Sequence, residues 1–265
     1  SGYLHSRRED LVPSIRIVPC LDVKDGRVVK GVNFRNLKDS GDPFELSKLY
    51  YEQGADEITL LDISASLEGR SATLRLVEKC AESIFVPLTV GGGVRSVDQV
   101  RQLLSAGADK VSVGSAGISK PDLINDIAQE FGSQVLVASL DIKRMDTVSG
   151  FGITRLGGTE DTSIDALEWA SELEARGAGE LLINAMDVDG TRQGFDLELL
   201  AAIRSRTSLP IIASGGAGAA EDFIQAARVG ANALLAASVF HDQTLTIEQT
   251  KQALSIAGFE VRESA

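Results

Sequence analysis

Two aspartates end short apolar runs that occupy corresponding places along the chain. Asp22 lies in CLDVK and Asp141 lies in SLDIKR. Two carboxyl groups that face one partly apolar site can be held at different pKa values, so that one donates a proton while the other accepts it. We therefore expect acid/base chemistry at Asp22 and Asp141 without a covalent nucleophile. The alternative, that both only cap loops or pair with Lys24 and Lys143, is weakened because the pattern occurs twice.

Glycine-rich segments end two other apolar runs and are typical of phosphate-binding loops. PLTVGGGVR begins at Pro87 and PIIASGG begins at Pro210, and a serine follows each one strand later, in VSVGS and LAAS. Backbone without side chains offers N–H groups to an anion and allows a phosphate to approach closely. A single glycine run is as well explained by a tight turn, but two matching copies favour two phosphate sites. Such a pair predicts an elongated substrate with a phosphate at each end.

The two halves of the chain repeat one pattern. The segment that begins at Pro87 aligns with the one that begins at Pro210 without gaps. In this alignment Gly92 matches Gly215, Gly107 matches Gly230, and Ser115 matches Ser238. The preceding segments GADEITLLD and GAGELLINA agree at the same offset. A repeat of this length indicates two copies of one structural unit. We expect half-barrels at about 15–134 and 135–258.

Eight short apolar runs alternate with amphipathic segments. The runs are IRIVPCL, EITLLD, VPLTV, KVSV, QVLVASL, ELLINA, LPIIAS and ALLAAS. They are rich in Val, Ile and Leu and are short enough for buried parallel strands. Several of the amphipathic segments have acidic first turns or end in glycine, as is typical of helices. Eight strand–helix units predict an α/β fold, a (β/α)8 TIM barrel, in which catalytic groups lie at the carboxyl ends of the strands.

The composition excludes several classes of protein. The 265 residues are 43% hydrophobic with a net charge of -12, which disfavours nucleic-acid and anionic-membrane binding. Two cysteines are too few for a disulfide framework, and His5 and His241 have no partners that would suggest a metal site. We expect a cytoplasmic protein without cofactor or metal. Residues 1–14 are predicted to be a disordered extension and 15–265 a single barrel.

Two long segments without a helical pattern follow the first and fifth strands. They are GRVVKGVNFRNLKDSGD and RMDTVSGFGITRLGGTEDT. Loops of this length inside a compact domain usually serve function or are disordered. We expect both to be lids over the catalytic face.

Several motifs together resemble the family of cyclase subunits of imidazole glycerol phosphate synthase, an enzyme of histidine biosynthesis. They are IVPCLDVKDGRVVKG, LLDISAS, TVGGGVRS, GADKVSVGSA, SLDIKR, DVDGT, IIASGGAG and LAASVFH. The resemblance extends from about Arg16 to Val261. It implies a lyase that uses ammonia to convert a bisphosphorylated ribulosyl aminoimidazole carboxamide nucleotide into imidazole glycerol phosphate and aminoimidazole carboxamide ribotide.

The resemblance also implies a role for each site residue. Asp141 would be the general acid, Asp22 the general base, and Lys30 would reach a phosphate or the reacting centre from the first lid. One phosphate would be bound at Gly92, Gly93, Gly114 and Ser115. The other would be bound at Gly190, Ser214, Gly215, Gly216, Ala237 and Ser238, with Asp189 and Thr191 close to the substrate.

In the family, a separate glutaminase subunit docks on the bottom of the barrel and ammonia passes through its centre. The family's ring of charged residues at that entrance corresponds here to Arg16, Glu57, Lys110 and Glu180. Ordinary surface ion pairs would stabilise the fold little. A ring of charges at this place is therefore predicted to be a gate or a docking surface in a heterodimer.

This chain departs from the family pattern at two loops. Gly114 stands where the family pattern has Asn, and TRLGG replaces the usual residues after the fifth strand, so Arg155 is predicted to supply the missing phosphate contacts. Two alternatives remain open. The first is the sister isomerase of the same pathway, whose strand one usually reads AIDL rather than CLDV. The second is a noncatalytic phosphosugar-binding barrel, which would need no pair of opposed carboxylates.

Overall fold

The computed structural model of the protein describes residues 14–32, 35–63 and 67–262. The predicted N-terminal extension falls almost wholly outside these residues. Twelve strands lie in the described part of the chain: β1 (Arg16–Lys24), β2 (Arg27–Val32), β3 (Arg35–Gly41), β4 (Ile58–Asp62), β5 (Leu88–Gly91), β6 (Lys110–Val113), β7 (Leu136–Arg144), β8 (Phe151–Arg155), β9 (Glu160–Asp165), β10 (Glu180–Ala185), β11 (Ile211–Ser214) and β12 (Ala233–Ala236).

Eight of these strands form a closed parallel barrel. Around the ring the order is β1, β4, β5, β6, β7, β10, β11 and β12, and β12 pairs with β1 to close it. Strands β1 and β7 are four positions apart in either direction, so they face each other across the barrel. The predicted (β/α)8 barrel is thus confirmed. Its division into two duplicated halves stays a prediction.

Ten α-helices surround the barrel in the described residues. They are α1 (Pro43–Glu52), α2 (Leu67–Ala81), α3 (Val97–Ser105), α4 (Ser115–Ser119), α5 (Asp122–Phe131), α6 (Ala166–Ala175), α7 (Leu197–Arg204), α8 (Ala220–Arg228), α9 (Ser238–His241) and α10 (Ile247–Ile256). A 3₁₀ turn spans Ser133–Val135. Side-chain caps begin many of the helices, as where Asp42 accepts from the N–H groups of Phe44 and Glu45. None of the helices found between residues 14 and 262 combines the length and the apolar character needed to span a membrane.

Both predicted lids contain antiparallel hairpins. Strands β2 and β3 extend β1, and β8 and β9 extend β7 in the same way. Asp25 and Gly26 form the two-residue turn between β1 and β2, with φ values of 51° and 75°. A two-residue Asp-Gly connection is the strongest short-range signal for a hairpin. In their described residues, both segments therefore extend the sheet rather than form irregular loops.

The inward-facing side chains of β1 connect the two ends of the barrel interior. On β1, Arg16, Val18, Cys20 and Asp22 share the inward face, since alternate residues point to the same side. Val18 and Cys20 pack in an inner apolar cluster that fills the barrel centre. The members of this cluster are Val18, Cys20, Val137, Leu182, Ile212, Ala233, Leu235 and Ala237. One strand thus places a cation at the bottom and a carboxyl group at the top of the same interior.

Candidate active site

A cavity of about 610 Å³ opens at the carboxyl ends of the barrel strands. Both aspartates and both glycine-rich segments line it. The predicted site residues in its wall are Asp22, Gly92, Gly93, Gly114, Ser115, Asp141, Asp189, Gly190, Ser214, Gly215, Gly216, Ala237 and Ser238. Its volume suits a small organic ligand.

Two predicted site residues are not placed in the cavity wall. The side chain of Lys30 lies outside the described part of the structure. Thr191 is used locally, because its hydroxyl donates a hydrogen bond to the Val188 carbonyl at 2.7 Å. That bond stabilises the turn carrying Asp189 and Gly190. The roles predicted for Lys30 and Thr191 stay predictions.

Asp22 is buried near the carboxyl end of β1, with 3% of its surface exposed. The Cys20 thiol donates to its Oδ1 across 3.9 Å. Strand register places Leu61 of β4 beside Asp22 and Gly91 of β5 beside Leu61. The carboxyl group thus lies at the edge of the apolar interior, largely out of contact with bulk water.

Asp141 lies in the cavity wall on β7, opposite Asp22. Removal from water raises the pKa of its carboxyl group; a hydrogen bond from Asn184 opposes the rise and the negative charge of Asp189 adds to it. Lys143 also opposes the rise. The Asn184 amide donates to Asp141 Oδ1 at 3.1 Å. The net upward shift favours the protonated acid, which is the form able to donate a proton.

Charged and polar side chains that the sequence reasoning did not select also line the cavity. Lys24, Arg95, Asn184 and Arg192 all contribute to its wall. Arg192 forms an ion pair with Asp242 and donates to the Ser238 carbonyl at 3.5 Å. The signal for Asn184 was present, because a polar residue near the carboxyl end of ELLINA occupies the catalytic side of a barrel strand.

The four charges predicted at the bottom of the barrel form a closed ring. Glu57 accepts from both Arg16 and Lys110 at 2.8 Å, and Glu180 accepts from Lys110 at 3.0 Å and also from Arg16. The carboxylates are almost fully buried, whereas the Arg16 and Lys110 side chains are 15% and 19% exposed. Alternating signs compensate the cost of burying the charges. These are therefore not ordinary surface ion pairs.

Backbone carbonyls, rather than a ligand, explain most directly why the glycine segments carry no side chains. Gly92 has φ +97°, and a Cβ there would lie 1.9 Å from the Asp62 carbonyl oxygen. Gly216 has φ +95°, and a Cβ would lie 2.1 Å from the Gly194 carbonyl oxygen. The close approach of backbone at the end of β4 and in the loop after β10 thus requires glycine at both positions. Phosphate binding there stays a prediction.

Comparison with known proteins identifies the family. A family profile described as histidine biosynthesis protein matches residues 16–246. Imidazole glycerol phosphate synthase subunit HisF of Beutenbergia cavernae is 58% identical over 253 residues, which cover 94% of this chain and 99% of that protein. The chain belongs to the HisF family. The HisF proteins of Cutibacterium acnes and Thermobifida fusca are 59% and 56% identical over 94% of this chain, covering 100% and 99% of their own lengths.

Membership in the HisF family confirms the resemblance found in the sequence motifs. It also favours the cyclase over the sister isomerase, because the relatives are named as synthase subunits. The near-complete coverage of these relatives places the cavity and the charged ring inside the part of the chain that the family shares.

In this HisF-family chain, the hairpin of β8 and β9 reaches the cavity beside Ser115. The Leu156 N–H donates to the Ser115 hydroxyl at 2.9 Å, and Leu156 itself lines the cavity. Arg155 is turned elsewhere, since its guanidinium binds Glu160 and the Ser119 hydroxyl and does not line the cavity. A Cβ at Gly114 would come no closer than 3.5 Å to Ser139, so packing does not require glycine there. The compensating role of Arg155 stays a prediction.

The raised pKa of Asp141 predicts a stabilising substitution. A carboxyl pKa above its unfolded value penalises the folded state at pH values above the folded pKa, and the penalty vanishes below the unfolded pKa of about 4. We expect Asp141→Asn to raise the free energy of unfolding by roughly 1 kcal/mol at pH 7.5, with the gain disappearing as the pH falls towards 4. Urea unfolding at several pH values measures this difference. A gain that grows as the pH falls would contradict the direction of the shift.

Proposed function

We propose that this chain is the cyclase subunit of imidazole glycerol phosphate synthase. In this reaction ammonia and the bisphosphorylated ribulosyl aminoimidazole carboxamide nucleotide give imidazole glycerol phosphate and aminoimidazole carboxamide ribotide. The single observation that carries the proposal is the pair of carboxyl groups on opposite strands of one cavity in a chain of the HisF family. Two such groups suit a reaction made of successive proton transfers.

The two aspartates would have different roles. Asp141, whose carboxyl pKa is raised by burial, would give its proton to the oxygen that leaves as water when the imine forms. Asp22 would accept the proton released by the attacking nitrogen. In the later cleavage and ring closure, the same two groups would exchange protons with the substrate from opposite sides. Because the two groups lie on opposite strands, one substrate between them can contact both.

The two glycine–serine segments would hold the two phosphates of the substrate. Each proposed phosphate site has one arginine close by in the cavity wall. Arg95 follows Gly93 by two residues, and Arg192 contacts the Ser238 carbonyl. These local cations allow a chain of net charge -12 to bind a dianion at each end of the cavity. The inner width of the barrel mouth would then set the spacing of the phosphates.

The reaction itself is the test of this function. Purified protein should convert the bisphosphate substrate when an ammonium salt is supplied, and both products can be followed by absorbance and chromatography. Absence of turnover together with isomerisation of the preceding pathway intermediate would favour the sister isomerase instead. Binding of the bisphosphate without any conversion would favour a noncatalytic barrel.

The charged ring is proposed to admit ammonia from a glutaminase subunit docked at the bottom of the barrel. The ring stands at the end of the interior opposite Asp22, and Arg16 shares the inward face of β1 with that carboxyl group. If the ring opens, its mostly buried ion pairs would give the entrance two discrete arrangements, closed and open, rather than a continuous range. The relatives are named as synthase subunits, which supports a partner chain.

A substitution in the ring should affect the two ammonia sources differently. We expect Arg16→Ala to change glutamine-dependent turnover by roughly 10-fold, while ammonium-driven turnover stays within about 2-fold of wild type. The reason is that only ammonia delivered by the glutaminase subunit has to pass through the charged ring. Thermal unfolding is measured in parallel, since Glu57 and Glu180 would each lose the ion pair with Arg16 and keep the one with Lys110. Arg228→Ala, which removes an exposed ion pair with Glu221, is the matched control. An unchanged glutamine-dependent rate would count against the gate.

A further inference from the structure

Three neighbouring strands place three polar side chains in a row beside the cavity. In the strand register, Asn184 of β10 pairs with Asp141 of β7 on one side and with Ser214 of β11 on the other. The Ser214 hydroxyl donates to the Asn184 Oδ1 at 3.0 Å, and the Asn184 Nδ2 donates to the Asp141 Oδ1 at 3.1 Å. Since the serine hydroxyl occupies the amide oxygen, the amide nitrogen is the atom that faces Asp141.

The corresponding positions beside Asp22 hold no such row. There the register pairs Asp22 with Leu61 of β4 and Leu61 with Gly91 of β5. Leu61 has an apolar side chain and Gly91 has none, so neither offers a side-chain hydrogen bond. A Cβ at Gly91 would lie 2.8 Å from the Ser112 Cβ and 2.9 Å from the Leu61 Cδ2, so the packing leaves no room for a serine there. The two aspartates thus occupy matching places on opposite strands but have chemically different neighbours.

We propose that Asn184, held in orientation by Ser214, is the positioning residue that fits Asp141, and not Asp22, to the acid role. This inference rests on the proposed function and adds the reason for the division of labour between the aspartates. It also gives the Ser214 hydroxyl a purpose other than the phosphate contact predicted from the sequence, because that hydroxyl donates to Asn184.

The hydrogen-bond pattern determines which oxygen carries the proton. The carboxyl oxygen Oδ1 accepts from the Asn184 amide in both protonation states, so the proton resides on Oδ2. In the acid step the Oδ2–H bond breaks, its proton moves to the departing substrate oxygen, and the electron pair remains on the carboxylate. Asn184 then still donates to Oδ1 and stabilises the negative charge that has formed.

The same bond sets the pH at which Asp141 gives up its proton. The Asn184 hydrogen bond lowers the pKa of the Asp141 carboxyl group against the stronger effect of burial, so its loss shifts the pKa further upward. The other charged groups that act on this carboxyl or share its cavity are Asp189, Lys143, Asp22, Lys24, Asp62, Arg95 and Arg192. All of them remain in place when Asn184 alone is replaced.

The test replaces Asn184 by the residue type found beside Asp22. We expect Asn184→Leu to lower the ammonium-driven kcat by roughly 10²-fold with KM changed by less than about 3-fold, because the acid loses its orientation while the substrate contacts stay. The alkaline limb of the pH–rate profile should move to higher pH. In the free protein, the carboxyl ¹³C titration of Asp141 should move upward as well. Ser214→Ala should give smaller changes in the same directions, since the amide stays but can rotate.

A hydrogen-bonded asparagine far from the cavity provides the control. Asn125 of α5 donates to the Arg176 carbonyl at 3.3 Å, and Asn125→Leu should leave kcat and the Asp141 titration unchanged. The inference would be overturned if Asn184→Leu lowered kcat but moved neither the Asp141 titration nor the alkaline limb of the pH–rate profile. Asn184 would then have only a structural role. Should Asn184→Leu fail to fold, Ser214→Ala decides by the same criteria. Absence of turnover in the wild-type protein would contradict the proposed function. The ¹³C titration needs no turnover, so it tests the effect of Asn184 on Asp141 independently of that function.

Discussion

Replacing Asp22 or Asp141 by asparagine is expected to lower the ammonium-driven kcat by roughly 10³-fold, the range typical of loss of general acid or base catalysis. The amide cannot exchange a proton at these pH values, yet it has the shape of the carboxyl group. Substrate affinity should therefore change little, because the proposed phosphate contacts lie elsewhere in the cavity. Steady-state turnover and calorimetric binding of the substrate measure the two quantities separately.

A matched substitution on the surface controls for the change from carboxylate to amide. Asp126 lies exposed on α5, away from the cavity, and Asp126→Asn should retain full activity. The Asp141→Asn variant is expected to be at least as stable as wild type, so its loss of turnover cannot come from unfolding. Full activity in either cavity variant would refute the assignment of that aspartate.

The second large effect is expected for stability. Gly92→Ala should lower the free energy of unfolding by at least about 3 kcal/mol, because a Cβ at this position would lie 1.9 Å from the Asp62 carbonyl oxygen and the backbone has φ +97°. Neither atom can move without displacing β4 or β5. Urea unfolding of the variant measures the loss directly.

Gly150 separates the cost of the clash from that of the backbone conformation. It has φ +79°, and a Cβ there would meet nothing within 4 Å, so Gly150→Ala should cost only about 1 kcal/mol. Equal losses in the two variants would show that the Asp62 carbonyl does not explain the glycine at position 92.

The barrel and the residues of its cavity followed from the sequence because they depend on local patterns. Each apolar run has the length of one strand, and catalytic groups in this fold follow strand ends, so Asp22 and Asp141 could be placed in one site. The closed ring of Arg16, Glu57, Lys110 and Glu180 was found only through the family resemblance. Arg16 is 41 residues from Glu57 and 164 residues from Glu180 in the chain. Nothing in the separate segments shows that these side chains come within hydrogen-bonding distance.

Three features escaped the sequence reasoning for distinct physical reasons. The β1–β2 hairpin had a readable Asp-Gly signal, which the interpretation of the segment as a lid did not use. The packing that requires glycine at position 92 depends on a carbonyl of another strand, Asp62, and that approach is a property of the closed barrel. The contact between Asn184 and Asp141 depends on the register of β7 and β10, which a single sequence does not specify.

The most direct test of the central claim is the pH dependence of kcat/KM for wild type, measured at constant free ammonia. If Asp22 acts as base and Asp141 as acid, the profile should be bell-shaped. Its alkaline limb should coincide with the ¹³C titration of the Asp141 carboxyl group and be absent in the residual activity of Asp141→Asn. A profile that is flat across that titration, or an alkaline limb that persists in Asp141→Asn, would contradict proton donation by Asp141.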